Sequence, residues 1–257
     1  MTDFCYQLYS SRNHGPLPET LKMLADAGYA GVEGYGGLYD SLDEAALIAF
    51  RKELDANRLA MPTAHFGLNM LEDDPARVVI TAKALRIKTI YCPFLPAEAR
   101  PDSTGGWADF GRRLNRASEP ILDAGIGFGW HNHDFEFKPL PDGSMPIEHI
   151  FGGGPNLEWE ADVAWVARAG ADPFKWIDNY ADRITAVHIK DIAAEDENAD
   201  EDGWADVGYG ILPWKALMER LVTTSARHFI MEHDKPRDDA RFARRSIETA
   251  SKYRGQE

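Results

Sequence analysis

The chain has 257 residues and a formal net charge of −14, with 42 acidic residues against 28 lysines and arginines. This charge would repel nucleic-acid phosphates and anionic membrane surfaces, so we expect neither as a partner. A hydrophobic fraction of 44% is sufficient for one sizeable core, and the length suits a single barrel-type domain over 1–257.

Neither a signal peptide nor a membrane anchor is predicted. The N-terminus lacks a basic stretch followed by an apolar core, and no run of about 18 apolar residues occurs. The chain contains two cysteines, Cys5 and Cys92, which are too few for a disulfide framework. We therefore expect a cytoplasmic protein with two reduced thiols.

Short apolar segments alternate with longer helical ones along the chain. The first helix is a clear example, because its apolar residues recur at helical spacing and Gly28 marks its end. Ser41 and Glu44 form a capping-box pattern at the start of a later helix. Strands are predicted over 4–9, 30–36, 59–66, 88–95, 126–133, 156–166, 184–192 and 227–233. Helices are predicted over 17–29, 41–59, 74–87, 105–124, 146–151, 172–184, 213–222 and 238–254.

Eight strands that alternate with helices indicate right-handed crossovers and a parallel sheet. Eight such units in a chain of this length favour a closed (β/α)8 barrel of the TIM type. One acidic run, 193–206, separates the seventh strand from its helix. We expect a solvated loop there, and a flap over the barrel mouth is the alternative.

Titratable residues collect where the predicted strands end. In a parallel barrel these ends form one rim, which carries the functional groups of the fold. A single histidine at such a position is more often structural, but coincidence across six strands indicates a site. The stretch "GWHNHDFEF" (129–137) is the densest part. The rim residues are Glu33, His65, His131, His133, Asp162, His188, Lys190, Glu232 and His233.

Period-two alternation predicts which of these side chains enter the barrel. In the fifth strand the large Phe128 and Trp130 share one face, which leaves the other face to the barrel interior. In the sixth strand Trp159 faces outward, so a row of carboxylates faces inward. Buried carboxylates are costly without cations or donors, and Glu158, the deepest, has no evident partner. The inward polar residues predicted from strands five to seven are His131, His133, Glu158, Glu160, Asp162, His188 and Lys190.

Four rim residues together make a mixed oxygen and nitrogen ligand set. Such a set suits Mn²⁺, Co²⁺, Fe²⁺, Zn²⁺ or Mg²⁺ with coordination positions left for substrate oxygens. The absence of thiolates argues against a structural zinc site. The proposed ligands are His131, Asp162, His188 and Glu232.

Several motifs, in order, resemble the xylose-isomerase-like TIM barrel superfamily of sugar phosphate isomerases and epimerases. They are "GVEGYG", "TAHFG", "HNHDFEF", "EADVAWVARAGADP", "VHIKD", "VGYGILPW" and "MEHD". The resemblance places family metal ligands on Asp162, His188 and Glu232. The fourth falls on His131, where "HNH" replaces the common "ENH" of the family. Members with two site glutamates use them to remove and return a proton, so His131 is either a ligand or a base here.

The resemblance implies an enediolate mechanism in which Glu232 removes a proton next to a carbonyl. His133 and Lys190 are the further catalytic candidates. We expect substrate contacts from Glu33, His65, Trp165 and Asp191. Trp165 and Phe66 could stack on a sugar face, but packing of their rings against helices is the favoured alternative. For these residues a purely structural role is the alternative.

The sequence therefore predicts a metal-dependent isomerase or epimerase, with Mn²⁺ the favoured ion. No Walker-type loop is present and the chain is acidic, which favours an unphosphorylated keto-sugar or polyol. The alternatives are a lyase acting on a keto-inositol or 3-keto-glycoside and a non-catalytic sugar-binding protein. An endonuclease of the same superfamily would need a basic groove. Isomerisation, epimerisation and elimination share one site geometry, and a homo-oligomer is left open.

Overall fold

Eight parallel strands close into a barrel in the computed structural model, which describes residues 3–253. Each strand pairs with its neighbours along the chain, and the first closes the circle by also pairing with the last. Two further short strands form an antiparallel pair outside the barrel. The barrel strands are β1 (Phe4–Gln7), β2 (Gly31–Gly34), β3 (Ala60–His65), β4 (Thr89–Cys92), β5 (Gly127–His131), β6 (Glu158–Asp162), β7 (Ile184–Ile189) and β10 (His228–Met231); the outer pair is β8 (Asp191–Ile192) and β9 (Trp204–Ala205).

Helices follow the strands and cover the outside of the barrel, which confirms the predicted (β/α)8 architecture. The first helix ends at Gly28, whose φ of 95° is the left-handed conformation that glycine adopts without strain. The α-helices are α1 (Leu17–Ala27), α2 (Gly36–Tyr39), α3 (Glu44–Ala56), α4 (Leu68–Asp73), α5 (Pro75–Leu85), α6 (Thr104–Asp123), α7 (Pro146–Gly153), α8 (Val163–Arg168), α9 (Pro173–Asn179), α10 (Trp214–Leu221) and α11 (Asp239–Ser251).

The predicted start of one helix and the predicted end of one strand are wrong, because an aspartate side chain caps a helix at each place. The third helix begins at Glu44 rather than at 41, because the Asp43 side chain accepts the N–H of Ala46. The sixth strand ends at Asp162 rather than at 166, because the Asp162 carboxylate accepts the N–H groups of Ala164 and Trp165 and starts α8.

The predicted seventh strand and last helix are also too long. The barrel strand stops at Ile189, and Asp191–Ile192 turns outward to pair with Trp204–Ala205. The last helix ends at Ser251, and the predicted end at 254 lies outside the described residues. None of the helices in the described range is both long and apolar enough to cross a membrane.

Tryptophans on the outer face of the sheet join the barrel to its helices, as the alternation predicts. The Trp130 ring lies 5.2 Å from Phe110 of α6, and the Trp159 ring lies 5.8 Å from Phe151 of α7. Trp159 also donates its indole N–H to the Asn132 side chain at 2.9 Å. These contacts determine which side chains of β5 and β6 enter the barrel. A shift of one residue would take both tryptophans out of the core between sheet and helices and would turn the inward polar residues outward.

The barrel interior is divided into an apolar layer and a polar layer. Cys5, Tyr91, Ala186 and Ile230 form the apolar layer in the middle. Below it, Glu158 finds a partner in the Thr185 hydroxyl, which donates at 2.6 Å. Both cysteines are free and buried, in agreement with the prediction of unpaired thiols. Apart from Glu158, the inward carboxylates and imidazoles lie above the apolar layer, at the carboxyl ends of the strands.

The acidic run over 193–206 is only partly the expected solvated loop. Residues 194–200 are mostly exposed, but Glu201 and Asp206 are buried. Arg241 of α11 holds both, with nitrogens 2.7 Å from Glu201 and 3.0 Å from Asp206. The Arg241 guanidinium thus attaches the second half of this segment to α11 through both carboxylates.

Helices α6 and α7 pack closely because glycine allows it, and this contact provides a test of the fold. A Cβ at Gly153 would approach the Ala108 carbonyl oxygen of α6 well inside 3.0 Å, whereas a Cβ at the adjacent Gly152 meets nothing within 4 Å. We expect Gly153→Ala to destabilise the protein by about 1–3 kcal/mol through overpacking against backbone. Gly152→Ala is the matched control and should be neutral or slightly stabilising, because alanine favours helix.

Thermal and urea unfolding of the two variants measure this difference. Equal stability of Gly153→Ala and Gly152→Ala would show that the two helices are further apart than described.

Candidate active site

A cavity of about 400 Å³ opens at the carboxyl-terminal rim of the barrel. Its lining includes the buried His65, His131 and Glu232. Tyr9 and Phe94 also line it and are 36% and 45% exposed, which places aromatic rings at the entrance. Pockets of this kind, with a few polar groups that converge at the base, are the usual form of a small-molecule site.

The four proposed metal ligands converge beside this cavity. His131, Asp162, His188 and Glu232 are buried, and each offers a ligand atom within 4.8 Å of the others. Asp162 uses Oδ1 to cap α8, while its Oδ2 has no hydrogen-bond partner among the described residues. A buried carboxylate oxygen without a donor costs free energy unless a cation neutralises it. The donor set therefore fits a divalent ion.

A second layer of polar groups lies directly against these ligands. Glu160 Oε2 contacts three imidazole nitrogens: His65 Nε2 at 2.5 Å, His131 Nδ1 at 3.1 Å and His188 Nε2 at 3.3 Å. Glu33 Oε1 lies 2.7 Å from His188 Nε2. His65, His131, Glu160 and His188 also satisfy the distance condition for a metal site.

The buried carboxylates and imidazoles of the two layers shift one another's pKa values. Burial raises the pKa of Glu160 to about 7, and the neighbouring Glu33 carboxylate adds to this. Burial also opposes ionisation of Glu33, but His65 and His188 outweigh it and lower its pKa to about 2. Burial, followed by His188 and His65, holds the pKa of His131 well below its usual range. His131 is therefore a neutral imidazole, the form that ligates a metal.

Lys190 supplies the one fully buried ammonium group of the site. Its Nζ lies 2.5 Å from Asp234 and 3.2 Å from Glu232, and 4.3 Å from the centre of the Trp204 ring. Burial disfavours the charge, but Asp234 and Glu232 outweigh this and raise the pKa of Lys190. The side chain is thus a fixed cation, held by two carboxylates and an aromatic face.

His133 lies among aromatic rings at the side of the cavity. Its ring centre is 5.2 Å from those of Phe94, Trp165 and His131. Its Nδ1 has no hydrogen-bond partner within the described chain. Burial and the Lys190 charge lower the pKa of His133 to about 3. The imidazole is therefore neutral and has a nitrogen available to a ligand.

Three of the predicted substrate contacts do not line the cavity. Glu33 is fully buried beneath it. Asp191 accepts the backbone N–H groups of Ile192, Gly208, Gly210 and Leu212, so both of its oxygens are used to organise the loop after β7. Trp165 lies behind His133 and against Trp204, with 4.6 Å between the indole rings. His65 is the member of the predicted set that lines the cavity.

Packing turns two further residues after strand ends away from the cavity. His233 does not enter the rim, because its ring packs on Phe242 of α11 and its Nδ1 accepts the N–H of Lys235. Phe66 cannot stack on a sugar, because it is fully buried and stacks on Tyr39 at 4.5 Å. Both residues follow a strand end at a position whose side chain is directed away from the barrel interior.

Sequence reasoning missed the aromatic entrance and one polar residue below it. Tyr9, Tyr35 and Phe94 line the cavity, and Gln7 donates to Glu33 at 2.7 Å. The signal was available, because the aromatic residues follow β1, β2 and β4 within two positions of each strand end. Residues in such loops belong to the functional face of this fold.

The chain belongs to the family described as xylose isomerase-like TIM barrel, whose model matches residues 21–252. A curated relative is the rhizopine catabolism protein MocC of Rhizobium meliloti, 24% identical over 84% of this chain and 74% of the relative.

Two solved structures have a similar fold. A sugar phosphate isomerase/epimerase from Parabacteroides distasonis has a TM-score of 0.81 at 20% identity and covers 98% of this chain and 95% of its own. The IOLI protein, solved with a bound zinc atom, has a TM-score of 0.73 at 15% identity. The match covers 98% of this chain and 96% of the IOLI chain. Proteins of this family include sugar isomerases and epimerases, and the chain is similar to them in fold.

The neutral state of His133 can be measured directly. An unperturbed imidazole changes charge near pH 6.5, but the low pKa of His133 means that it should stay uncharged from about pH 5 to 8. We expect its ring resonances in histidine-labelled protein to show no titration over this range. A midpoint near 6.5 for His133 would contradict the described burial.

Proposed function

We propose that the protein is a divalent-metal-dependent isomerase or epimerase of a keto-sugar or related polyol. The observation that carries this proposal is the convergence of four ligand side chains at the base of a rim cavity, beside a neutral imidazole and a fixed ammonium. These are the groups needed to move a proton next to a carbonyl: a site for an electrophile, a base and an acid.

The proposed ion is held by His131, Asp162, His188 and Glu232, and Mn²⁺ is the ion we favour for this oxygen and nitrogen set. A divalent ion, when bound, supplies Lewis-acid stabilisation of the negative charge that develops on the substrate oxygens. The IOLI structure, which is similar in fold, holds a zinc atom, and this supports the proposal of a metal ion in this chain.

Glu232 is the proposed base. Burial opposes its ionisation, but Lys190 and His188 outweigh burial and hold the pKa of Glu232 well below its usual range, so the side chain is a carboxylate at neutral pH. It lines the cavity, where a substrate C–H can reach it. His133 offers an uncharged nitrogen to a substrate hydroxyl, and Lys190 keeps positive charge next to Glu232 at 3.2 Å.

The composition of the cavity favours an uncharged substrate. No lysine or arginine lines the cavity within residues 3–253, and a phosphate would lie beside Glu232 and Asp234 without a direct cation. The aromatic rings of Tyr9, Tyr35 and Phe94 can pack on the C–H face of a sugar. We therefore propose an unphosphorylated substrate.

Elimination is the second candidate function, and His131 is the observation that favours it. Because histidine occupies the position of the second glutamate, the ligand set contains Glu232 as its one glutamate. A single base with an adjacent acid is sufficient for loss of a β-substituent, whereas epimerisation needs a proton donor on each side of the carbon.

The test is a panel of ketoses, 3-keto-sugars and inososes with added Mn²⁺, followed by NMR in deuterated water. An isomerase or epimerase should incorporate deuterium next to the carbonyl, and a lyase should also release a β-substituent. Binding of panel members without deuterium incorporation would refute catalysis and leave a sugar-binding protein.

The two histidines of "HNH" should have separate roles. His131→Ala is expected to lose the ion, because it removes one of four ligands. His133→Ala should retain the ion but reduce turnover or substrate binding, because His133 lies outside the converging ligand set and lines the cavity. Metal content and steady-state kinetics decide this. Equal metal loss in both variants would refute the division of roles.

Glu232→Gln should lower turnover by at least about 100-fold, because the amide has the shape of the carboxylate but not its basicity. Since Glu232 is also a proposed ligand, metal content is measured in the same preparation and the ion is added to saturation. A rate near that of the unmodified protein at full metal occupancy would exclude Glu232 as the base.

A further inference from the structure

The two buried carboxylates beneath the proposed metal ligands contact the back of the ligand imidazoles. We propose that Glu160, assisted by Glu33, is a positioning residue that fixes which ring nitrogen of His131 and of His188 faces the ion. This inference rests on the metal centre proposed above. It goes beyond it because neither carboxylate belongs to the proposed ligand set.

Glu160 acts on His131 through strand register. The two residues lie opposite each other on β5 and β6, and Glu160 Oε2 is 3.1 Å from His131 Nδ1. The ionised Glu160 carboxylate only accepts, so with Glu160 ionised the proton of the neutral His131 ring belongs on Nδ1. The lone pair of the ring is then on Nε2, the nitrogen left for the ion.

His188 is oriented in the opposite sense. Its Nε2 lies 2.7 Å from Glu33 Oε1 and 3.3 Å from Glu160 Oε2, and its Nδ1 lies 2.9 Å from Glu232 Oε2. When one nitrogen of the ring binds an ion, the ring keeps one proton, on its other nitrogen. The two lower carboxylates place it on Nε2, which leaves the Nδ1 lone pair on the side of Glu232, itself a proposed ligand.

The hydrogen bonds continue below through Gln7, and the orientation of its side-chain amide sets their direction. Gln7 accepts the N–H of Tyr9 with its side-chain oxygen, so its amide nitrogen faces the site and donates to Glu33 at 2.7 Å. The same nitrogen lies 3.5 Å from His65 Nδ1, which leaves His65 Nε2 to donate to Glu160 at 2.5 Å. The ring N–H groups of His65, His131 and His188 in this layer thus all face Glu33 or Glu160.

The alternative occupant of the lower layer is a metal ion bound by His65, His131, Glu160 and His188. His65 Nε2 lies 2.5 Å from Glu160 Oε2, a direct contact shorter than an ordinary N–H···O hydrogen bond. Two ligands of one ion, each about 2.0–2.2 Å from it, lie about 3 Å apart or more. The geometry therefore favours carboxylates that orient imidazoles over a second ion.

The test compares Glu160→Gln with Glu158→Gln, its matched control two residues earlier on β6. Glu158 also faces the barrel interior, but its partner is Thr185 below the apolar layer. Titration with Mn²⁺ alone measures affinity without any substrate. We expect Glu160→Gln to bind the ion about 10–100-fold more weakly, as for other partners of metal-ligating histidines, and Glu158→Gln to bind as the unmodified protein does.

Long-range ¹H–¹⁵N spectra of histidine-labelled protein with Zn²⁺ provide the second readout. The unmodified protein should show His131 protonated on Nδ1 and His188 on Nε2, and Glu160→Gln should show mixed tautomers. If Glu160→Gln does not fold, Glu160→Asp replaces it, because the shorter acid keeps the charge but withdraws the oxygen. Unchanged affinity and unchanged tautomers in the substituted protein would overturn the inference.

The outcomes separate the inference from the proposed function. An ion bound with the expected tautomers but no deuterium exchange on any substrate supports the positioning role and counts against the enzyme. Catalysis that survives Glu160→Gln with unchanged Mn²⁺ affinity counts against the positioning role alone. Loss of binding in His65→Ala as complete as in Asp162→Asn would place the ion in the lower layer and refute the inference.

Discussion

The burial of four carboxylates at one end of the barrel is the constraint on which the rest of the structure depends. Two of them, Asp162 and Glu232, lie 3.9 and 3.2 Å from the buried Lys190 ammonium. Desolvated carboxylates repel one another, and water cannot compensate for this in the barrel interior. Lys190 offsets one charge, and positive imidazoles or a divalent ion must offset the others. The proposed function follows from the divalent ion. Asp162 Oδ2 accepts no hydrogen bond from the described residues, lies 3.9 Å from Lys190 Nζ, and converges with the atoms of the other proposed ligands. The carboxylates are Glu33, Glu160, Asp162 and Glu232.

The fold supplies the rigidity that this arrangement requires. The tryptophans outside β5 and β6 fix the facing of both strands, and the apolar layer that includes Tyr91 and Ile230 closes the barrel below the polar layer. Asp191 gathers the loop after β7 with four backbone hydrogen bonds, and Trp214 donates its indole N–H to the Lys190 carbonyl at 3.1 Å. These contacts explain why a lysine can be buried at a fixed position between its carboxylate partners.

Much of this could be predicted from sequence, because side-chain alternation in a strand is a local property. It places His131, Glu160 and Asp162 inside the barrel, as found. What it cannot give is behaviour beyond the last residue of a strand. His233 is turned to α11 because β10 ends at Met231, and Asp162 ends its strand by capping α8. The contact of Glu160 with three imidazoles depends on distances between β3, β5, β6 and β7, which no local pattern contains.

The most direct measurement of the central claim is a crystal structure of the protein grown or soaked with Mn²⁺, with anomalous scattering data to locate the ion. The account predicts one strong anomalous peak, about 2.0–2.3 Å from an oxygen or nitrogen of each of His131, Asp162, His188 and Glu232. A peak centred among His65, Glu160 and the lower nitrogens of the shared imidazoles, or no peak within the barrel at saturating Mn²⁺, would contradict it.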